Sequence, residues 1–145
     1  MIDVDNIHRT LSQGERELHI LKGISFSVAG GEWVALTGPS GSGKSTLLGL
    51  LAGIDRPTRG KVRVDGIEIS SLNENQLARF RNDEIGIVFQ SFHLIPTMTA
   101  LENVEAPLYV SPRRREAHKL ACKMLDQVGL ADRVHHMPHQ LSGGE

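Results

Sequence analysis

A glycine-rich segment around residue 40 constrains the fold of this chain more than any other feature. Residues 38–45, with the sequence GPSGSGKS, match the pattern G-x-x-x-x-G-K-[ST] at every fixed position. A continuous apolar run, Trp33–Thr37, precedes the segment, and an apolar stretch from Leu47 to Ala52 follows it. Such a run favours a strand buried on both faces, as in a parallel sheet, and the stretch favours a helix. The predicted order is therefore strand, glycine-rich loop, helix.

The residue types of this loop suit the binding of phosphate groups. Glycines let the backbone curl so that successive N–H groups face phosphate oxygens, and the N-terminus of the next helix adds positive potential. Lys44 can reach the β- and γ-phosphates as a point charge, and the Ser45 hydroxyl is the expected Mg²⁺ ligand. The sequence therefore predicts a nucleotide site made of Gly38, Pro39, Ser40, Gly41, Ser42, Gly43, Lys44, Ser45 and Thr46.

Composition and charge argue against several other classes of protein. The chain of 145 residues has a formal net charge of −1, which lacks the basic field that drives nonspecific binding to nucleic acid. Its one cysteine, Cys122, excludes an internal disulfide framework and is expected to pack in the core. Neither a membrane-spanning apolar stretch nor a secretory signal is found. These features predict a cytoplasmic domain without a nucleic-acid partner.

Periodicity and turn residues predict the remaining strands. The segments Ile2–Ile7 and Leu18–Val28 are of β type, Lys61–Gly66 alternates strictly, and Ile85–Phe89 is a second buried run. Because the first part is rich in strands and the last part in helices, two subdomains are expected to meet near Gln90.

Capping residues predict where the helices begin and end. Ser71 and Thr99 each precede a glutamate by three residues, as in a capping box. Ser111 followed by Pro112 predicts the start of a longer amphipathic helix, and Gly129 predicts its end. We expect a single domain over residues 1–145, with a nucleotide-binding core and β subdomain in 1–90 and a helical subdomain in 91–145.

Two further segments give the loop a family context. Leu141-Ser142-Gly143-Gly144-Glu145 ends the chain, and Ser142 follows Lys44 by 98 residues (142 − 44). Gln90 stands directly after the apolar run that begins at Ile85. The three elements together resemble the Walker A, Q-loop and signature motifs of the ABC ATPase family. This resemblance implies an α/β fold with a P-loop NTPase (RecA-like) core, an antiparallel β subdomain and a helical subdomain.

The resemblance also implies a mechanism. In this family two ATPase subunits pair head to tail, and ATP with Mg²⁺ is held between one P-loop and the partner's signature. Ser142, Gly143 and Gly144 would face the nucleotide of the other subunit, and Gln90 would contact Mg²⁺ and the attacking water. An integral membrane transporter subunit is then the expected partner, with the ATPase on the cytoplasmic face of the inner membrane.

Residues 90–104 narrow the resemblance further. Their sequence is similar to bacterial ATPases of lipoprotein release and macrolide export. A soluble ABC-type ATPase of DNA repair or chromosome organisation is the alternative, but such proteins place a long coiled coil between the two motifs, and no sustained heptads occur here. A non-catalytic nucleotide-binding remnant is the third possibility.

The chain departs from the family pattern at both ends. Leu11 stands where the family usually has an aromatic residue against adenine, so offset stacking worth about 1 kcal/mol is lost. The family's Walker B strand, catalytic glutamate and switch histidine follow the signature, whereas this sequence ends at Glu145. We therefore expect a C-terminally incomplete domain that folds poorly, binds nucleotide weakly and does not turn over.

Overall fold

The computed structural model describes residues 1–14 and 16–145, without the side chain of Gln13. It divides into two compact units, residues 1–86 and residues 87–145. No helix within the described residues has the length and apolar character needed to cross a membrane.

The first unit is built on an antiparallel sheet. Its strands are β1 (Ile2–Gln13), β2 (Arg16–Val28), β3 (Arg59–Val64) and β4 (Ile67–Glu68), and within residues 1–14 and 16–86 they are ordered β2-β1-β3-β4. Every neighbouring pair is antiparallel. The antiparallel β subdomain that the family resemblance implies is thus confirmed.

Two helices complete the first unit. Helix α1 (Lys44–Leu51) follows the glycine-rich loop, and α2 (Glu74–Glu84) follows a 3₁₀ turn over Ile69–Ser71. Both contribute to one apolar core with the sheet. Its buried members are Val4, Ile7, Leu21, Leu47, Leu50, Val62, Val64, Ile69, Leu77 and Phe80.

The second unit is helical. It contains α3 (Ala100–Glu105) and α4 (Ala117–Gln127), with 3₁₀ turns over Ala106–Val110, Arg114–Glu116, Ala131–Arg133 and Pro138–Gln140. The buried side chains of α3 and α4 form a separate small core of Ala100, Leu101, Ala121 and Leu125. The Thr99 capping box is confirmed, because Thr99 Oγ1 accepts from the Glu102 N–H and the Glu102 carboxylate accepts from the Thr99 N–H.

Two predicted helix starts are wrong. Helix α2 is capped by Asn73, whose side chain accepts from the Gln76 N–H at 3.0 Å, while the Ser71 hydroxyl donates to the Glu68 carbonyl instead. Helix α4 begins at Ala117 rather than after Ser111. The Ser111 hydroxyl accepts from the Arg113 N–H and closes a local turn, so the α-helix does not begin there.

Two predicted buried strands are also wrong. The runs Trp33–Thr37 and Ile85–Phe89 have no regular secondary structure. Trp33 is 99% exposed and Val88 is 100% exposed. A strand forms only where a neighbour accepts and donates its backbone hydrogen bonds, and the sheet over residues 1–14 and 16–86 includes neither run.

Candidate functional site

The glycine-rich loop passes directly into α1 at Gly43. This residue caps the helix with φ of +89°, a left-handed conformation that L side chains rarely adopt. A Cβ atom there would also lie 2.9 Å from Leu21 Cδ2 and 3.2 Å from Ile20 Cγ2, both on β2. Glycine is therefore required at this position for two reasons: the backbone has a positive φ, and β2 leaves no room for a side chain.

Lys44 folds back over the loop that precedes it. Its Nζ donates to the Gly38 carbonyl at 2.9 Å, to the Pro39 carbonyl at 2.7 Å and to Ser42 Oγ at 3.4 Å. An ammonium group has three protons, so these acceptors match its full donor capacity. The loop thereby holds the cation next to its own backbone, at the N-terminal end of α1.

A pocket of about 640 Å³ lies between the loop, the first turn of α1 and strand β2. The residues that line it are Leu18, His19, Ile20, Lys22, Ser40, Gly41, Ser42, Gly43, Lys44, Ser45 and Thr46. The volume is that of a typical small-molecule site. Two lysines, four hydroxyl side chains and a helix N-terminus converge here, and none of the described lining residues is acidic. This donor set suits a polyanion.

Most residues of the predicted nucleotide site come together in this pocket. Ser40 to Thr46 line it, whereas Gly38 and Pro39 contribute through their carbonyl contacts with Lys44. Leu11, expected beside the base, pairs with Leu18 across the β1–β2 hairpin, and Leu18 is the leucine that reaches the pocket.

Sequence reasoning missed the contribution of β2. Leu18, His19, Ile20 and Lys22 line the pocket, but their order along the chain shows nothing of this. Strand β2 reaches the loop through Ile20 and Leu21, which lie against Gly43, and this contact joins positions more than twenty residues apart in the sequence.

Gln90 and the signature residues belong to the second unit. Gln90 is exposed, outside any helix or strand, and the ring of its neighbour Phe89 meets the His93 ring edge-on at 4.4 Å. Ser142 and Gly143 help to line a second pocket of about 630 Å³ together with apolar side chains, among them Phe89, Phe92 and Leu141. Gly144 is exposed at the end of the same segment.

Glu145 folds back on the signature segment. Its Oε2 accepts from the Ser142 N–H at 2.8 Å, and its own N–H donates to the Ser142 carbonyl at 3.0 Å. The bond from the Ser142 N–H, with a smaller contribution from Arg133, lowers the pKa of Glu145 below its usual value. The carboxylate thus serves as a local cap on the turn, as an acidic side chain does at a helix start.

Comparison with known families shows to which family the glycine-rich loop, Gln90 and the signature belong. The family model described as ABC transporter matches residues 21–145, which include the glycine-rich loop, Gln90 and the signature. The chain belongs to the ABC transporter family. Members of this ABC family bind ATP, so the pocket over α1 lies in an ATP-binding domain.

Individual relatives within the ABC family bear names linked to export. The lipoprotein-releasing system ATP-binding protein of Geobacter metallireducens is 47% identical over 100% of this chain and 65% of its own length. The macrolide export ATP-binding/permease protein of Rhodopirellula baltica is 48% identical over 100% of this chain and 22% of its own length. The chain spans less than two thirds of the length of these curated relatives.

A solved ABC cassette shows the same fold. Its structure, described as a dimeric post-hydrolysis state bound to ADP and Pi, superposes with a TM-score of 0.87 at 42% identity, covering 99% of this chain and 64% of the other. The family resemblance and the α/β P-loop NTPase class inferred from the residues are therefore confirmed.

Proposed function

We propose that this chain is the nucleotide-binding part of an ATPase that powers an ABC transporter. ATP binds with its phosphates on residues 38–46, where Lys44 exchanges its loop partners for phosphate oxygens. The observation that carries this proposal is the pocket beside α1, in which Lys44 and Lys22 meet the helix N-terminus with no acidic side chain among the described lining residues. Burial of anionic oxygens against such a donor set is favourable without any other counter-charge.

Magnesium fits this arrangement as a companion of ATP. The Ser45 hydroxyl lines the pocket in the first turn of α1 and would be a ligand of the metal. A neutral ligand leaves most of the cation's charge to the phosphates, which is how Mg²⁺ is usually held in such sites. When bound, the metal supplies charge neutralisation at the β- and γ-phosphates. Lys44 stabilises the same oxygens, and Gln90 orients the attacking water.

We propose that a second copy of the ATPase contacts the bound nucleotide. Ser142 presents its hydroxyl, and Gly143 and Gly144 present their backbone N–H groups; such groups bind phosphate oxygens. Support comes from the solved cassette that is described as dimeric. We further propose that residues 1–90 and 91–145 are the core and helical subdomains of one ATPase domain.

An integral membrane subunit is the proposed mechanical partner. Relatives named for lipoprotein release and for macrolide export support a transport role over DNA repair or chromosome organisation. The protein would then work on the cytoplasmic face of the inner membrane, where ATP is present. Dimerisation driven by ATP would be transmitted to that subunit, because ATP binds the paired state more tightly than the separated one.

Nucleotide titration of the 145-residue chain tests the proposal. Lys44→Ala removes a charge-assisted hydrogen bond to phosphate, worth about 1.5–3 kcal/mol, so the Kd for MgATP should rise about 10- to 150-fold. Lys61→Ala is the matched control, since Lys61 is an exposed lysine of β3 that pairs with Glu68. Equal affinity in both variants would contradict the site.

A turnover assay separates binding from hydrolysis. We expect the chain to bind MgATP but to release phosphate no faster than the Lys44→Ala variant, because no acidic group among the described lining residues is placed to act as a base. Steady phosphate release above that control would show that hydrolysis needs no further residues.

A further inference from the structure

A buried carboxylate in the helical unit is linked to the chain's single cysteine through a histidine. Glu105, the last residue of α3, is only 6% exposed. Its Oε1 lies 2.7 Å from His118 Nδ1 on α4, and the other ring nitrogen, Nε2, lies 3.8 Å from Cys122 Sγ. None of these residues belongs to the proposed nucleotide site.

The Glu105 carboxylate decides which ring nitrogen of His118 carries the proton. An ionised carboxylate can only accept hydrogen bonds, so the proton between Glu105 and the imidazole is carried by Nδ1. In the neutral ring the Nε2 atom is then bare and can accept a proton from the Cys122 thiol. The residues thus form a nucleophile, a base and a group that orients the base.

Tyr109 fixes the carboxylate from the other side. Its hydroxyl donates to Glu105 Oε2 at 2.7 Å, and this bond raises the pKa of Tyr109 above its ordinary value, so the hydroxyl stays protonated as a donor. Both oxygens of Glu105 are therefore occupied, and the carboxylate can turn away from His118 only by losing a hydrogen bond. The hydrogen bonds of Glu105 explain why Tyr109 and His118 lie beside it. They do not explain why His118 also contacts Cys122.

We propose that Cys122 is a reactive thiol that exchanges with small anionic disulfides. The thiol proton passes to His118 Nε2, and the thiolate sulfur attacks one sulfur of the disulfide. The disulfide bond breaks as the new bond to Cys122 forms, and the departing thiolate leaves with the electron pair and takes the proton from His118. Cys122 is oxidised, one half of the disulfide is reduced, and Glu105 serves as the positioning residue for His118.

The preference for an anionic disulfide rests on two neighbouring lysines. Lys119 and Lys123 follow His118 and Cys122 by one position each, so they form the adjacent row on the exposed surface of α4. Both lysine side chains are exposed, and the thiol is half-buried. Oxidised glutathione, which carries carboxylates next to its disulfide, is the probe with matching charge.

Adduct formation with oxidised glutathione, followed by intact-mass spectrometry, tests the proposal. The folded chain should react at least about 10-fold faster than the same chain unfolded in urea at the same pH, because general-base assistance is worth about that or more. His118→Gln should lower the folded rate to the unfolded level, whereas His135→Gln, which changes an exposed histidine of the same unit, should not. Cys122→Ser should form no adduct.

Two further measurements keep the proposal decidable if a variant does not fold. Imidazole should restore the rate of His118→Ala but leave the wild-type rate unchanged. In the wild-type chain, NMR should show a His118 Nδ1–H proton protected from exchange, and Glu105→Gln should weaken that protection while Cys122 stays in place. A folded chain that reacts no faster than the unfolded chain overturns the proposal, as does a His118→Gln variant that reacts at the wild-type rate.

Discussion

The sheet strands and the apolar run Trp33–Thr37 were both predicted as strands but differ in burial. Ile7 and Val62 in neighbouring strands are fully buried, whereas Trp33 is almost entirely exposed. Strand β1 has β2 on one side and β3 on the other, both antiparallel. The apolar run pairs with no strand of this sheet. Apolar composition therefore predicts a buried strand only where a neighbour satisfies the backbone groups.

The largest expected effect comes from truncating a side chain on each side of this contrast. Leu50→Ala, in the buried face of α1, should cost about 2–5 kcal/mol of unfolding free energy, because a cavity remains in the core. Trp33→Ala removes more atoms but should change that free energy by no more than about 0.5 kcal/mol. Urea unfolding followed by circular dichroism measures both. A large loss for Trp33→Ala would mean that the run is packed in solution.

An intermediate loss of stability is expected within the glycine-rich loop, where Gly43 lies against the sheet and Gly41 does not. Gly41 and Gly43 both have positive φ, so alanine at either should cost about 1–2 kcal/mol through the backbone. Only Gly43→Ala adds a clash with Leu21 and Ile20, whereas nothing lies within 4 Å of a Cβ at Gly41. Gly43→Ala should therefore lose more stability and more MgATP affinity than Gly41→Ala. Urea unfolding and nucleotide titration of the two variants test this order.

The smallest expected effect concerns a cap whose partners are three residues apart. The Thr99 backbone N–H, and then its hydroxyl, hold the pKa of Glu102 below its ordinary value of 4.5. Since the folded pKa is the lower one, this contribution to stability is present above pH 4.5 and is lost as the pH falls through the folded pKa. NMR titration of the Glu102 carboxyl should show the lowered pKa.

Proline at position 99 supplies the decisive variant for this last prediction. Thr99→Pro removes both the N–H and the hydroxyl, so the pKa of Glu102 should return towards its ordinary value. Thr99→Ser keeps both donors and serves as the control. A Glu102 pKa that is the same in Thr99→Pro and Thr99→Ser would show that another group lowers it.

Features decided by nearby residues could be predicted from the sequence. The Thr99 cap, the end of α4 before Gly129 and the loop–helix order around Lys44 depend on contacts a few positions apart. The strands β1 and β2 were also visible as β-type runs. Family membership followed from three short motifs whose residue types are dictated by phosphate chemistry.

Features that depend on competition or on distant contacts could not be predicted. Both Ser71 and Asn73 have an acceptor three residues on, and only the fold selects Asn73 as the cap. Ser111 has the residue type of a cap but closes a turn. The share of β2 in the nucleotide pocket, through Leu18 and Lys22, depends on the contact between β2 and the distant loop at Gly43. The contact between His118 and Cys122 was visible only as helical spacing, and its orientation depends on Glu105 from another helix.

The exposure of Trp33 makes this residue an optical reporter. It is the chain's one tryptophan, and it stands five residues before Gly38, where the glycine-rich loop begins. An indole in water emits at longer wavelength than one shielded by apolar groups, so the fluorescence spectrum of the unmodified chain reports on a single segment. Any nucleotide, second copy or membrane subunit that brings residues 33–37 under cover will shift that emission to the blue. Assembly at this segment can thus be followed without attaching a dye.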